Sequence, residues 1–279
     1  MALIQPLDSL DNKVVKVVRR LLTNRSFRER QHQAVLEGCR ILQDVVDVGI
    51  PIHLVLYGKR MIQLEAGRSL LARLQMARTR LIYVTDKVLD ALSDVETHQG
   101  VLAVINWPHM AQGWPLPRGV PPFIVIADQI QDPGNLGTLI RSAQAAGAHL
   151  MGFTKGTVDV YNPKTMRSSA GSIFKIPLMP LSDGWMDELQ EQQIRLVSTM
   201  VAEGQDYTEF DWVQPFALVL GNEGNGVSSE LMARAHGVTI PMVPTAESIN
   251  VAVAGSILAF HAMSKRRQQN VPLIPPIML

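Results

Sequence analysis

Apolar residues recur at Val14, Val15, Val17, Val18, Leu21 and Leu22 with cations in the gaps, which predicts an amphipathic helix over Asp11–Leu22. Thr23–Arg30 reads as a polar break. The apolar positions from Ala34 to Val46 predict one helix over Gln33–Val48, stopped by Gly49. Strands are expected at Ile52–Tyr57, Arg80–Val84 and Gly100–Ile105, with helices at Leu64–Gln75 and Lys87–Leu92 between them. This alternation makes residues 1–106 one small α/β domain. Residues 107–122 carry Pro108, Pro115, Pro117, Pro121 and Pro122 and predict a linker, because proline lacks a donor and fixes φ. His109 within it is a lone histidine with no assigned role.

Residues 123–270 read as a second α/β domain built on a parallel sheet. Short apolar runs predict strands at Phe123–Ala127, Leu150–Phe153, Leu196–Met200, Phe216–Leu220 and Val238–Pro241. A turn at Asp132–Asn135 leads into a helix over Leu136–Ala146, Ser228 caps a short helix, and Ser248 opens the last one, Val251 to about Lys265. That last helix is rich in small residues on one side (Ala252, Gly255, Ser256, Ala259), so another backbone can approach it. The acidic stretch from Asp183 to Asp211 is expected on a solvated face, and the Pro-rich tail, 271–279, outside any helix. Gly221, Gly224 and Gly226 follow a strand end, where α/β sheets bind ligands.

Composition narrows the classes. The 279 residues suffice for two cores, and no apolar run approaches the roughly 20 residues that span a bilayer, so no membrane role is expected. A single cysteine, Cys39, rules out a disulfide framework and a Cys-based zinc site and points to an intracellular, cytoplasmic setting. Net charge is only +1, yet the cations gather in residues 1–106 and leave the remainder acidic. Arg25, Arg28 and Arg30 belong to one such cluster and are candidate phosphate contacts. The same cluster also reads as a solvated helix face. The glycine pattern after Leu220 suits a phosphate in principle, but it lacks the Lys-Ser/Thr of a P-loop and no dinucleotide fingerprint stands out.

The motifs are more specific than the composition. DQIQDPGNLGTLIRSAQAAGA (Asp128–Ala148), GNEG (Gly221–Gly224), IPM (Ile240–Met242) and SINVAVA (Ser248–Ala254) occur in the order of the three signatures of the SpoU/TrmH family, which this chain resembles. The preceding segment, with RERQHQAVLEG and DVETHQGVLAVI, resembles that family's accessory RNA-binding domain. The resemblance implies an S-adenosylmethionine-dependent RNA ribose 2′-O-methyltransferase of the SPOUT superfamily, with a trefoil-knotted domain, a homodimer and no metal. Ribosomal RNA is the favoured substrate and transfer RNA the second. A non-catalytic RNA-binding relative is a further alternative, against which the intact motif residues argue.

By the same resemblance, Leu220, Gly221, Ile240, Met242, Ile249 and Asn250 are the cofactor loops, and Asn135, Arg141, Glu223, Ser248 and Asn250 the catalytic set. Leu220, Ile240 and Ile249 read equally as core, and Ser248 as a helix cap. The resemblance implies that Arg141 contacts the target ribose or its phosphate. Because a guanidinium is essentially always protonated, phosphate binding and alkoxide stabilisation suit it better than proton abstraction. Glu223 anchors the cofactor loop or pairs with Arg141 or Asn135. Lys164 and Arg167, in NPKTMRSSAG, are candidate RNA contacts. Val243-Pro244 stands where the family often has a glycine, which changes the shape expected of that loop.

Overall fold

The computed structural model describes residues 5–108, 110–201 and 204–272. The expectations for His109 and for tail residues 273–279 lie outside these. Two compact units divide the chain: Met1–Pro108 with Tyr161–Phe174, and His109–Val160 with Lys175–Leu279.

The first unit contains α1 (Lys13–Thr23), α2 (Arg25–Gln31), β1 (Gln33–Glu37), α3 (Cys39–Val48), β2 (Ile52–Tyr57), α4 (Lys59–Gln63), α5 (Glu65–Met76), β3 (Leu81–Tyr83), α6 (Asp86–Asp90) and β4 (Val101–Asn106). Its sheet runs β1-β4-β2-β3, with β4 antiparallel to β1 and β2, and β3 parallel to β2. Val15, Val18 and Leu21 of α1 are buried with Val35, Leu54, Leu56, Leu102 and Val104 of the strands. Two expectations are corrected here. The polar break holds α2, because Asn24 caps it through Oδ1 accepting from the Phe27 N–H at 2.8 Å. Gln33–Glu37 is a strand rather than the first turn of a helix. Gly38 (φ +107°) turns the chain before α3, and β4 pairs along the whole of β1.

The second part of the chain supplies β5 (Phe123–Ala127), α7 (Pro133–Ala145), β6 (Leu150–Phe153), α8 (Pro163–Ser168), β7 (Leu178–Pro180), α9 (Trp185–Glu191), β8 (Arg195–Met200), β9 (Gln205–Asp206), β10 (Phe216–Leu220), α10 (Ser229–Arg234), β11 (His236–Thr239) and α11 (Val251–Gln268). Of these, α8 belongs to the first unit and packs against β1, although its sequence position suggests the second domain. Tyr161 goes with it, stacking on Trp107 at a ring separation of 4.5 Å. The remaining strands form one parallel sheet in the order β7-β6-β5-β10-β8-β11-β9. β5 and β10 are buried along their whole length, as a sheet covered on both faces requires. Strands β7 and β9 are too short for their pattern to reveal. The acidic stretch is not simply an outer face, since Trp185 and Leu189 of α9 enter the core between its carboxylates. The Pro-rich 107–122 segment has no regular element, but Ala111 is packed into the second unit's core and donates its N–H to the Leu178 carbonyl at 2.8 Å.

The chain runs outward from β5 through β6 to β7, then returns so that β10 lies beside β5 on the other side, with Leu220 opposite Ala127. The order therefore switches between β5 and β10, and their C-terminal ends open a crevice there.

His149, just before β6, is buried and accepts the Phe123 N–H on Nδ1 at 3.0 Å. Burial, and secondarily the Arg266 cation, lower its pKa from 6.5 to about 4. The unfolded chain therefore binds a proton that the folded chain refuses between these values, and stability is lost as pH falls through that window. The His149→Asn variant keeps an acceptor for Phe123 but does not titrate. Its urea midpoint should fall less steeply than that of the wild type between pH 6.5 and 4.

Candidate active site

Three loops meet at the crevice. The first follows β5, where Asp132 caps α7 by accepting the Asn135 N–H at 2.9 Å and Pro133 occupies the first turn. The second follows β10 and is a tight hairpin in which Asn222 and Gly226 exchange backbone hydrogen bonds. A Cβ on Gly221 would collide with the backbone of Gly226 and Val227, so only glycine lets the hairpin close. The third precedes α11, whose cap is Asn250 rather than Ser248. Asn250 Oδ1 accepts the N–H groups of Ala252 and Val253 at 2.9 and 3.2 Å.

Glu223 joins the first two loops. Oε2 accepts the Gln131 N–H, and Oε1 accepts the Asp132 N–H and Asn135 Nδ2, at 3.0–3.1 Å. Asn250 Nδ2 then donates to Asn135 Oδ1 at 3.0 Å, which adds the third loop. Partial burial alone would raise the Glu223 pKa. Donation from Asn135, Gln131 and Asp132 outweighs it and holds the carboxyl below the usual carboxylate range. Glu223 is thus an ionised acceptor with its oxygens occupied, a clamp rather than a base. Of the two partners expected for it, the structure selects Asn135.

A second carboxylate was missed in the sequence. Asp128 is buried at the end of β5, accepting Thr154 Oγ1 at 2.8 Å and the Ser228 N–H at 2.9 Å. It ties the β5 and β6 ends to the start of α10. An Asp directly after an all-apolar strand was the available signal. Helix α11 lies against α7, with Ser142 and Ser256 hydroxyls 2.7 Å apart. Gly255 faces Leu139 and Leu220 so closely that a side chain there has no room.

The other expected residues are distributed as follows. Arg141 is exposed on α7 and makes no hydrogen bond or ion pair among the described residues. Ser248 and Ile249 are exposed, and Ile240 and Met242 half-buried. The backbone groups of Met242, Ser248 and Ile249 likewise have no partner among the described residues. Leu220 is fully buried and Gly221 is enclosed, so both shape the floor from within the core. In the first unit Arg28 is 3% exposed, and its Nη1 donates to the Leu21 and Leu22 carbonyls at 2.7 and 3.2 Å. It closes the end of α1, which corrects its assignment as an RNA contact. Arg167 is likewise engaged, pairing with Asp94 at 2.8 Å and Glu37 at 3.5 Å. Arg25 pairs with Glu29, while Arg30 and Lys164 are exposed.

Asn250 serves as both cap and network donor, and substitution separates the two. Asn250→Ala should lower stability by about 1 kcal/mol through the lost cap. Asn250→Ser, which retains a capping oxygen but not the amide donor, should recover most of that in a urea titration.

The sequence model of the SpoU rRNA Methylase family matches residues 122–260, and that of the MRM3-like substrate binding domain matches residues 12–103. The Bacillus subtilis 23S rRNA (guanosine(2553)-2′-O)-methyltransferase RlmP is 30% identical over 260 residues, covering 91% of this chain and 98% of that protein. The crystal structure of the SpoU methyltransferase AviRb from Streptomyces viridochromogenes, in complex with AdoMet, superposes with a TM-score of 0.82 at 31% identity. It covers 92% of this chain and 100% of that one. An AdoMet-bound rRNA methyltransferase from Sinorhizobium meliloti gives a TM-score of 0.79 at 29% identity, covering 95% and 98%. With the Asn250–Asn135–Glu223 chain standing at the sheet's switch point, and with these matches spanning both units, the protein belongs to the SpoU rRNA methylase family.

Proposed function

We propose that the protein transfers a methyl group from S-adenosylmethionine to a ribose 2′-hydroxyl of ribosomal RNA. The observation that carries this is the hydrogen-bonded chain Asn250–Asn135–Glu223, which draws one residue from each of the three signature motifs into a single crevice. Ribosomal RNA is favoured over transfer RNA because RlmP acts on 23S rRNA and matches this chain almost end to end. The cytoplasm is the proposed compartment.

The residues present fit the cofactor. Ile240, Met242 and Ile249 would supply apolar side chains, and the backbone groups of Met242, Ser248 and Ile249, without partners among the described residues, would supply neutral donors and acceptors. That combination suits the edge and faces of an adenine and needs no cation. When bound, S-adenosylmethionine supplies an electrophilic methyl group on a sulfonium. The chain's own residues do the rest. Glu223 fixes the Asn135 amide, Asn250 holds its other end, and both loops are thereby pre-set around the reacting atoms. Arg141, exposed on α7 and without a partner among the described residues, binds the phosphate beside the target ribose and stabilises the charge that develops on O2′. The O2′ proton passes to solvent, which reaches the exposed Ser248–Asn250 segment.

The partner subunit is a second copy of this chain. Val253 and Phe260 are 50% and 43% exposed and stand two turns apart on one face of α11, beside Ile249 at 37%. This apolar strip supports a homodimer formed through that helix. We infer also that α11 is threaded into the knot that the resemblance implies; the close approach at Gly255 supports it.

Labelled S-adenosylmethionine incubated with unmodified ribosomal and transfer RNA tests the activity. Label that resists alkaline cleavage at one ribosomal nucleotide is expected, and no label in either pool would overturn the reading. Arg141→Ala should lower the rate by about 100-fold with S-adenosylmethionine affinity unchanged. Recovery of the Arg141→Lys rate at high pH would assign Arg141 the base role instead. Val253→Asp/Phe260→Asp should shift the mass measured by light scattering from dimer to monomer.

A further inference from the structure

A second cleft, of about 770 Å³, lies beside the 221–226 hairpin. That is within the roughly 300–1,000 Å³ of ordinary ligand sites. Its polar lining comes from Gln129, Asn225, Ser228 and Ser229, and its apolar lining from Val227 and Met232. None of Asn135, Glu223, Asn250, Ile240 or Met242 reaches it, so it is not the crevice described above.

Three observations define what it would take. No charged side chain lines the cleft, which disfavours a phosphate. The side-chain amides of Gln129 and Asn225 and the hydroxyls of Ser228 and Ser229 have no hydrogen-bond partner among the described residues. These neutral groups both donate and accept, as the edge of a nucleobase requires. Met232 is 40% exposed and presents a polarizable thioether against which a flat ring can lie. The walls are also pre-set. Asn222 Nδ2 donates to the Gln129 carbonyl at 2.9 Å, and Asn222 Oδ1 accepts the Gly224 and Asn225 N–H groups. Gln129 is held in the left-handed region (φ 56°), a strained conformation of the kind that collects at ligand sites.

Asn222 borders this cleft and the adjacent Glu223 clamps the catalytic loops, so the two sites share one hairpin. We propose that the cleft receives an unstacked base of the substrate RNA, from a nucleotide neighbouring the methylated one, and so reads sequence context. This rests on the RNA-methylation reading above. Single-stranded RNA is commonly read in this way, with bases splayed out and bonded along their edges.

The test uses the full-length protein, a large-subunit rRNA transcript and copies of it made abasic at single positions flanking the methylated nucleotide. Wild-type enzyme should lose about tenfold in kcat/KM at one abasic position, the size of one good base contact. Asn225→Ala/Ser229→Ala should lose a similar factor on intact RNA and no more on that abasic copy, with S-adenosylmethionine affinity unchanged. Wild-type rates from the double variant, or losses that multiply, would overturn the base-reading role while leaving methylation standing. Failure of the wild type to methylate any transcript would overturn the parent reading and this one together.

Discussion

The active crevice depends on one carboxylate accepting three hydrogen bonds. Glu223 sits on a hairpin after β10, yet its donors, Gln131, Asp132 and Asn135, belong to the loop after β5. Asn222 adds a further bond between the same two loops, from its Nδ2 to the Gln129 carbonyl at 2.9 Å. Each donor to Glu223 improves the ionised form of the acid, and the ionised form draws the donors together, so geometry and charge state reinforce one another. Asn135 would otherwise be a polar side chain on the first turn of a helix with several rotamers available. Between Glu223 and Asn250 it has one.

Below that clamp the packing is close and apolar. Gly255 lets α11 lie on Leu139 and Leu220, and Gly221 lets the hairpin fold back on itself. Asp128 provides a second anchor from underneath, holding the β6 end and the start of α10 to β5. The site residues are therefore loop residues, but their loops are tied to rigid strands on both sides, which is how a precise constellation is held on irregular backbone.

Much of this was legible in the sequence. Buried parallel strands announce themselves as continuous apolar runs, and β5, β6 and β10 were bounded correctly by that pattern alone. Asn135, Glu223 and Asn250 came from the resemblance of their motifs to the family signatures rather than from any periodicity, since each lies in a polar stretch. Other features were hidden for identifiable reasons. The apolar positions of β1 run in phase with those of α3, so only the backbone turn at Gly38 separates strand from helix. Ser248 and Asn250 are both good caps, and the choice between them lay in the bond from Asn250 to Asn135, more than a hundred positions away in the chain. Arg28 resembles its exposed neighbours in sequence. Its burial follows from the carbonyls at the end of α1 that it satisfies.

The first unit is discontinuous, because Tyr161–Phe174 returns to it after the chain has already laid down β5, α7 and β6. Helix α8 covers β1, and Tyr161 stacks on Trp107, so the unit lacks part of its own packing until that segment is made. During synthesis, when domains generally fold in order from the N-terminus, the amino-terminal unit cannot be completed first and set aside. It must wait, incomplete, while the opening strands of the other unit leave the ribosome. The two units are consequently interleaved in time as well as in sequence, and a cut in the Pro-rich 107–122 segment would sever the first unit from its own Tyr161–Phe174 portion.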